Sequence, residues 1–137
     1  MENSRVKILN VSIQNVSMDY VLNNLKEGVV VTPNIDHVVQ LQTNKAFYDA
    51  YNNSEWIICD SRILFWLSKL TKTPLCEAIP GVTFFREFYL YHRNDPDCKI
   101  FLLGAKEGVA KTAMLKINKR INREIIIGEY SPKFGFE

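Results

Sequence analysis

The sequence of 137 residues lacks the features that mark several classes of protein. Its three cysteines are widely separated and form no CxxC pair, which disfavours a disulfide framework and a zinc site and favours buried thiols in a reducing cytoplasm. The first residues mix charges without the apolar core of a signal peptide, and no run approaches the roughly 20 apolar residues that span a bilayer. Internal repeats, low-complexity tracts and linker-like stretches are also missing. We therefore expect a single cytoplasmic domain over residues 1–137.

The chain also has little excess charge of either sign. Seventeen Lys and Arg oppose fifteen Asp and Glu, so the formal net charge is +2. This balance gives no reason to expect a nucleic-acid partner, although it is compatible with a small anionic ligand. His37 and His92 lack the partner spacing of a metal site or a nucleophilic triad. We expect no metal and no cofactor, and we interpret each histidine as lying on a helix face.

Hydrophobic residues make up 47% of the chain, which is enough for a core without disulfides. They fall into strand-like and helix-like stretches that alternate along the sequence. The strand-like runs are residues 8–13, 29–31, 56–59, 100–103 and 125–127, of which the first alternates like an edge strand and residues 100–103 read as a buried strand. The alternation predicts an α/β fold, Rossmann-like, with a mainly parallel sheet and flanking helices.

Residues 61–70 form the most apolar helical pattern of the chain. Ile63, Leu64, Phe65, Trp66, Leu67 and Leu70 leave it little polar face. Such a helix is buried on several sides, or it meets a partner or a lipid surface. We favour the core interpretation.

Polar residues follow two of the predicted strands. Thr32, Asn34 and Asp36 come after residues 29–31, and Asp60 ends the run that begins at Trp56. Open parallel sheets place their ligand sites outside such strand ends. Asp60 is suited to general-base work, or it caps the helix that starts near Ser61, and the two roles are compatible. Thr32, Asn34 and Asp36 either bind a sugar's hydroxyls or satisfy the turn after Pro33.

A second candidate site is the loop that follows residues 100–103. It contains Gly104, Ala105, Lys106 and Glu107 ahead of a helical pattern. Backbone N–H groups at a helix N-terminus, a glycine that allows close approach and a lysine suit a phosphate. The loop has neither the GxGxxG nor the Walker A pattern, and a glycine after a strand is commonly only a turn.

Basic residues cluster on the following helix and its exit. They are Lys111, Lys116, Lys119, Arg120 and Arg123. A solvated face is the usual meaning of such a cluster, and attraction to an anionic membrane surface is the alternative.

Taken in order, these segments resemble the WecG/TagA/CpsF family of bacterial glycosyltransferases from about Val6 to Glu137. The matching stretches are Thr32-Pro33-Asn34 after a strand, Asp60 after the next strand, FLLGAKEGVA at residues 101–110 and GEYSPKFGFE at residues 128–137. The last two stretches are the most specific.

The resemblance implies an inverting transfer of a hexose, often an N-acetylated aminosugar, from a UDP-sugar to an undecaprenyl-diphosphate-linked saccharide. The reaction would occur at the inner face of the cell membrane, in the synthesis of a cell-surface polysaccharide or teichoic acid. The resemblance also implies that Asp60 is the general base, that Thr32 and Asn34 line its pocket, and that residues 104–107 face the nucleotide.

The family's domain continues beyond the position of Glu137 into further βα units and a basic tail that meets the membrane. The resemblance therefore implies that this chain is the N-terminal part of that domain, and that its peripheral membrane contact comes through the missing part. A sheet that ends here would expose an edge and apolar surface, so we expect the chain to be unstable, to associate with itself as a homo-oligomer, or to be inactive. The alternative is a non-catalytic protein that binds a nucleotide-sugar or pairs with another subunit.

Overall fold

The computed structural model describes residues 4–133 and Gly135. In chain order the elements are β1 (Arg5–Ile8), β2 (Val11–Gln14), α1 (Met18–Asn24), β3 (Val30–Val31), α2 (Ile35–Gln40), α3 (Lys45–Asn52), β4 (Trp56–Ile57), α4 (Arg62–Ser68), α5 (Gly81–Tyr91), β5 (Ile100–Leu103), α6 (Val109–Ile121) and β6 (Ile126–Tyr130). Strands β1 and β2 pair antiparallel, whereas β3 with β4 and β5 with β6 pair parallel. The predicted α/β class, with mainly parallel pairing and flanking helices, is confirmed.

The first strand-like run is a hairpin and not one edge strand. Leu9 adopts a left-handed backbone conformation with φ 53°, and the chain reverses at residues 9–10. Val6 pairs with Ile13 across the hairpin, and both side chains are buried. The prediction of one strand over residues 8–13 is wrong because the apolar alternation continues across a turn that carries neither Gly nor Pro.

The chain divides after Arg86 into two compact units. In the first unit, one buried cluster contains Val6, Ile13, Val38, Ile57 and Leu64, and a second contains Val16, Val21, Ile58 and Ile79. The prediction of a single domain over residues 1–137 stays a prediction.

The pairing of β3 with β4 sets the position of the candidate residues in the first unit. Val30 lies beside Trp56 and Val31 beside Ile57. Backbone bonds continue past the two strands, because the Ile58 N–H donates to the Val31 carbonyl at 3.0 Å and the Asp60 N–H to the Pro33 carbonyl at 3.3 Å. The carboxyl ends of both strands therefore lie at the same edge of the sheet. This arrangement brings Thr32, which follows β3, close to Asp60, which follows β4.

Helix α4 is far more exposed than the sequence pattern predicts. Within it only Leu64 and Ser68 are buried, whereas Ile63 and Trp66 are 60% and 64% exposed. The expectation that this helix lies in the core is wrong, because only one side of it packs against the described residues. A partner or a lipid surface remains as the other interpretation of its composition.

The second unit contains a parallel pair of strands with α6. Phe101 and Leu103 are exposed, so the expected burial of residues 100–103 is wrong although the strand has the predicted bounds. Burial alternates along β5, which indicates that only one face of the pair is covered within the described residues. Asn118 in α6 donates its amide to the Ile126 carbonyl and accepts from the Ile126 N–H, so a side chain ties the helix to β6.

The basic cluster of α6 is divided by the structure. Lys111, Lys116, Lys119 and Arg120 are exposed, as a solvated face requires. Arg123 differs, because its guanidinium donates to the backbone carbonyls of His92, Arg93 and Cys98 at 2.8–3.2 Å. Arg123 is thus a structural link, and its assignment to the solvated face is corrected.

Candidate functional site

Asp60 is held by the backbone of a segment distant in sequence. Its Oδ1 accepts a hydrogen bond at 2.7 Å from the N–H of Gly81, the first residue of α5. A carboxylate at a helix N-terminus is stabilised by the partial positive charge there. The interpretation of Asp60 as the cap of α4 is wrong, because Ser61 fills that position and its Oγ accepts from Ile63 and Leu64.

Thr32 lies against the same glycine. A methyl group added to Gly81 would lie 3.3 Å from Thr32 Oγ1, so the close approach leaves no room for a side chain without a shift. Thr32 and Asp60 thus come from the ends of neighbouring parallel strands and meet around Gly81. A hydroxyl beside a half-buried carboxylate suits the binding and deprotonation of an alcohol.

Tyr51 and His37 form a second layer near the carboxylate. The Tyr51 hydroxyl lies 2.6 Å from His37 Nδ1, and the Phe47 ring packs edge-on against both rings. Burial raises the pKa of Tyr51 to about 12, with a smaller contribution from the negative charge of Asp60. Tyr51 is therefore neutral at physiological pH. The Tyr51 hydroxyl is also close enough to Asp60 for the negative charge of Asp60 to disfavour ionisation of Tyr51.

Cys59 precedes Asp60 but is no nucleophile. Its thiol is buried and lies 3.3 Å from the Ser61 carbonyl. Burial raises the pKa of Cys59 to about 11, so the thiol stays protonated at physiological pH. The interpretation of the cysteines as buried thiols is therefore confirmed for Cys59. It is wrong for Cys76, which is exposed.

Asn34 and Asp36 lie at the start of α2. Asn34 Oδ1 accepts from the His37 N–H at 2.9 Å and caps α2, as local turn chemistry predicts. Asp36 lies exposed in the first turn of the same helix. A sugar-binding role for either residue stays a prediction.

The loop of residues 104–107 belongs to the second unit. Gly104 and Ala105 both have positive φ angles, 112° and 63°, and the Gly104 N–H donates to the Tyr130 carbonyl at 2.9 Å. A positive φ in a residue that has a side chain indicates local strain, which is common in ligand-binding loops. Lys106 and Glu107 are exposed.

An open cavity lies beside this loop. It has a volume of 360 Å³, and its lining residues are Glu107, Gly108, Lys111, Glu129, Tyr130 and Ser131. Helix α6 begins here at Val109, and no side chain caps its N-terminus at Gly108. The geometry offers backbone donors and a lysine to an anion, while the two glutamates oppose a high negative charge.

Two residues around Asp60 were missed by the sequence analysis. Gly81 is separated from Asp60 by 21 positions, and in the sequence the dipeptide Pro80-Gly81 indicates only a turn. The spacing of Tyr51 and Phe47 places both on one helix face, and nothing in that pattern indicates the hydrogen bond between Tyr51 and His37. Only the fold brings these residues together.

Within residues 4–133 and Gly135, no group of three or more His, Cys, Asp or Glu side chains is arranged to hold a metal ion. In the same part of the chain, every helix is too short or too polar to cross a membrane.

Comparison with known proteins decides the family. The model of the glycosyl transferase WecG/TagA/CpsF family matches residues 6–137, nearly the whole chain. The chain belongs to this family. The matched range includes Thr32, Asp60 and the loop of residues 104–107, and it also includes Phe134, Phe136 and Glu137 of the closing stretch, which lie outside the described residues.

Curated relatives of this family member come from Staphylococcus aureus. The N-acetylglucosaminyldiphosphoundecaprenol N-acetyl-beta-D-mannosaminyltransferases of strains NCTC 8325 / PS 47 and COL are each 28% identical to it over 127 residues. The alignment covers 85% of this chain and 49% of each relative. The chain thus spans about half the length of the curated relatives it matches.

Proposed function

We propose that this member of a bacterial glycosyltransferase family acts in an inverting transfer of a hexose or N-acetylaminosugar from a UDP-sugar to an undecaprenyl-diphosphate-linked saccharide. The product would serve the synthesis of a cell-envelope polymer at the inner face of the cell membrane. Family membership and the names of the S. aureus relatives support this choice of substrates.

The observation that carries the proposal is the meeting of Asp60 and Thr32 around Gly81. In the proposed step, Asp60 takes the proton of the acceptor hydroxyl, and the hydroxyl oxygen bonds to the sugar's anomeric carbon. The bond from that carbon to the UDP oxygen breaks, so UDP leaves with the bonding electrons and the configuration inverts. The Gly81 N–H at the start of α5 orients the Asp60 carboxylate, and the partial positive charge of the helix N-terminus interacts favourably with it.

The loop of residues 104–107 is the proposed donor contact. Lys106 and the uncapped N-terminus of α6 would stabilise the negative charge of the diphosphate as it leaves. Asn34 and Asp36 remain candidate contacts for sugar hydroxyls.

A turnover assay tests the proposal. The chain is incubated with UDP-N-acetylmannosamine and N-acetylglucosaminyl-diphosphoundecaprenol, and both UDP release and the disaccharide lipid are measured. We expect UDP release that depends on the acceptor and a product of inverted anomeric configuration by NMR. UDP release at the same rate without acceptor, or retained configuration, would contradict it. UDP binding without any turnover would support the non-catalytic alternative.

Lys106 gives a test of the donor site by itself. Calorimetric titration with UDP is expected to show saturable binding that weakens about 10- to 150-fold in Lys106→Ala, because a charge-assisted contact with phosphate contributes about 1.5–3 kcal/mol. Lys116→Ala is the matched control, since this lysine is exposed on the same unit but lies about two turns into α6. Equal affinities of the two variants would contradict a contact between Lys106 and the diphosphate.

A further inference from the structure

The exposed side of α4 is an apolar surface with a helical repeat. Ile63, Trp66, Leu67 and Leu70 are spaced at i, i+3, i+4 and i+7, and they are 60%, 64%, 43% and 86% exposed. These four residues are called the α4 surface below. Side chains at this spacing project from one side of a helix, so Ile63, Trp66 and Leu67 form a strip along α4, and Leu70 follows in the turn after the helix.

The strip continues into an apolar cavity. Leu67 lines this cavity of 440 Å³ together with Leu9 and Val39, which are themselves 66% and 63% exposed. Monomeric soluble proteins rarely leave so many large apolar side chains together in water, and a patch of this kind marks an interaction site.

The charged side chains within residues 61–76, the segment that contains α4, have one sign. Arg62, Lys69 and Lys72 are exposed, and residues 61–76 contain no Asp or Glu. The Lys69 ammonium lies 4.4 Å from the centre of the Trp66 ring, so the charge is held at the edge of the apolar strip. Lys7 lines the neighbouring cavity and adds a fourth cation.

We propose that the α4 surface lies in the interfacial region of an anionic lipid bilayer, with these cations against the lipid headgroups. An apolar strip with a tryptophan and flanking Lys and Arg is the composition of helices that lie in a membrane interface. Packing of two copies through this surface would bring their cations together, which disfavours a symmetric dimer. A short helix of 7 residues suits shallow insertion, because it is only about 10 Å long.

The position of α4 links the proposed membrane contact to the proposed catalytic role of Asp60. Asp60 directly precedes the cap residue Ser61, so the carboxylate lies at the start of the helix that meets the lipid. The inference rests on the proposed function in this respect, because a lipid-linked acceptor presents its reacting hydroxyl near the headgroups. The chain would thus contact the membrane through its own α4 surface, in addition to any contact made by the remainder of a longer family domain.

Sedimentation with lipid vesicles tests the proposal. The 137-residue chain is mixed with phosphatidylcholine vesicles that contain or lack phosphatidylglycerol, and the bound fraction is measured. We expect binding that requires phosphatidylglycerol and weakens with added salt. The triple variant Arg62→Gln, Lys69→Gln, Lys72→Gln should bind about 100-fold more weakly, and the triple variant Ile63→Ser, Trp66→Ser, Leu70→Ser should lose binding by a similar factor or more.

Two matched controls use equally exposed residues elsewhere. They are Lys111→Gln, Lys116→Gln, Lys119→Gln on α6 and Val82→Ser, Val109→Ser, Leu115→Ser, and both should bind like the parent chain. All altered side chains are exposed, so circular dichroism and thermal melting are expected to show folded variants. Failure of the parent chain to bind, equal loss in the controls, or self-association through the α4 surface without lipid binding would each overturn the proposal. Vesicle binding needs neither donor nor turnover, so its failure is distinct from failure of the proposed glycosyl transfer.

Discussion

Replacement of Asp60 by asparagine is expected to reduce acceptor-dependent turnover by about 10²–10⁴-fold, the usual contribution of a general base. The asparagine keeps an oxygen that accepts from the Gly81 N–H, so the local geometry survives while the proton acceptor is lost. The favourable interaction of the charge with the N-terminus of α5 also disappears, at a cost of about 0.3–1 kcal/mol in unfolding free energy. Steady-state kinetics and urea denaturation measure the two effects separately.

Asp36→Asn is the matched control for this substitution. Asp36 is also a carboxylate in the segment that follows a parallel strand, here β3. Unlike Asp60, it is exposed in the first turn of α2. We expect turnover to fall by no more than about tenfold, which is the effect of losing one hydrogen bond to a sugar hydroxyl. An Asp60→Asn enzyme that keeps most of its kcat would remove Asp60 from the role of base and leave it as a remote cap of α5.

The strand ends of the first unit were predictable, because local composition determines them. Short β-rich runs end in polar residues at Thr32 and Asp60, and parallel strands bring such ends to one edge. The partner that fixes the carboxylate was not predictable. Gly81 reaches Asp60 only through the path of residues 61–80, and no periodic pattern encodes the destination of a connecting segment.

Burial was the property that sequence reasoning predicted least well. Periodicity places Ile63, Trp66 and Leu70 on a helix and Phe101 and Leu103 on a strand, but it does not say whether anything covers them. Both apolar segments have an exposed face in this chain. The α4 pattern in particular suits a core helix and an interfacial helix equally, and the observed exposure removes only the first of these interpretations.

Turn chemistry explains the remaining difference in the first unit. Leu9 occupies a left-handed conformation that favours Gly, Asn or Asp, so the hairpin carries no recognisable turn residue at that position. Pairing of Val6 with Ile13 and burial of both outweigh this local cost. Tertiary packing thus overrides the preference of left-handed turn positions for Gly, Asn or Asp, and this preference is the signal from which a hairpin is predicted.

The second large effect is expected at Ile79, which holds the segment that delivers Gly81 to Asp60. Its side chain is fully buried in the cluster with Ile58 and Val21, and its N–H donates to the Cys59 carbonyl at 2.6 Å. Ile79→Ala should lower the unfolding free energy by about 2–5 kcal/mol, because the lost methyl groups leave a cavity that only partly collapses. Trp56 packs against the same cluster, so its fluorescence during urea denaturation reports the change.

Variants at the same segment separate packing from backbone effects. Ile79→Val removes one methylene and should cost only about 0.5–1.5 kcal/mol, while Val82→Ala, at a side chain 80% exposed, should stay within about 0.5 kcal/mol. In the turnover assay Ile79→Ala should also lower kcat under conditions where it stays folded, because the Gly81 N–H that orients Asp60 is then held less firmly. A loss of stability that grows from Ile79→Val to Ile79→Ala, with kcat unchanged, would contradict the second effect. It would show that Ile79 only stabilises the core of the first unit, and that the orientation of Asp60 does not depend on the Ile79 side chain.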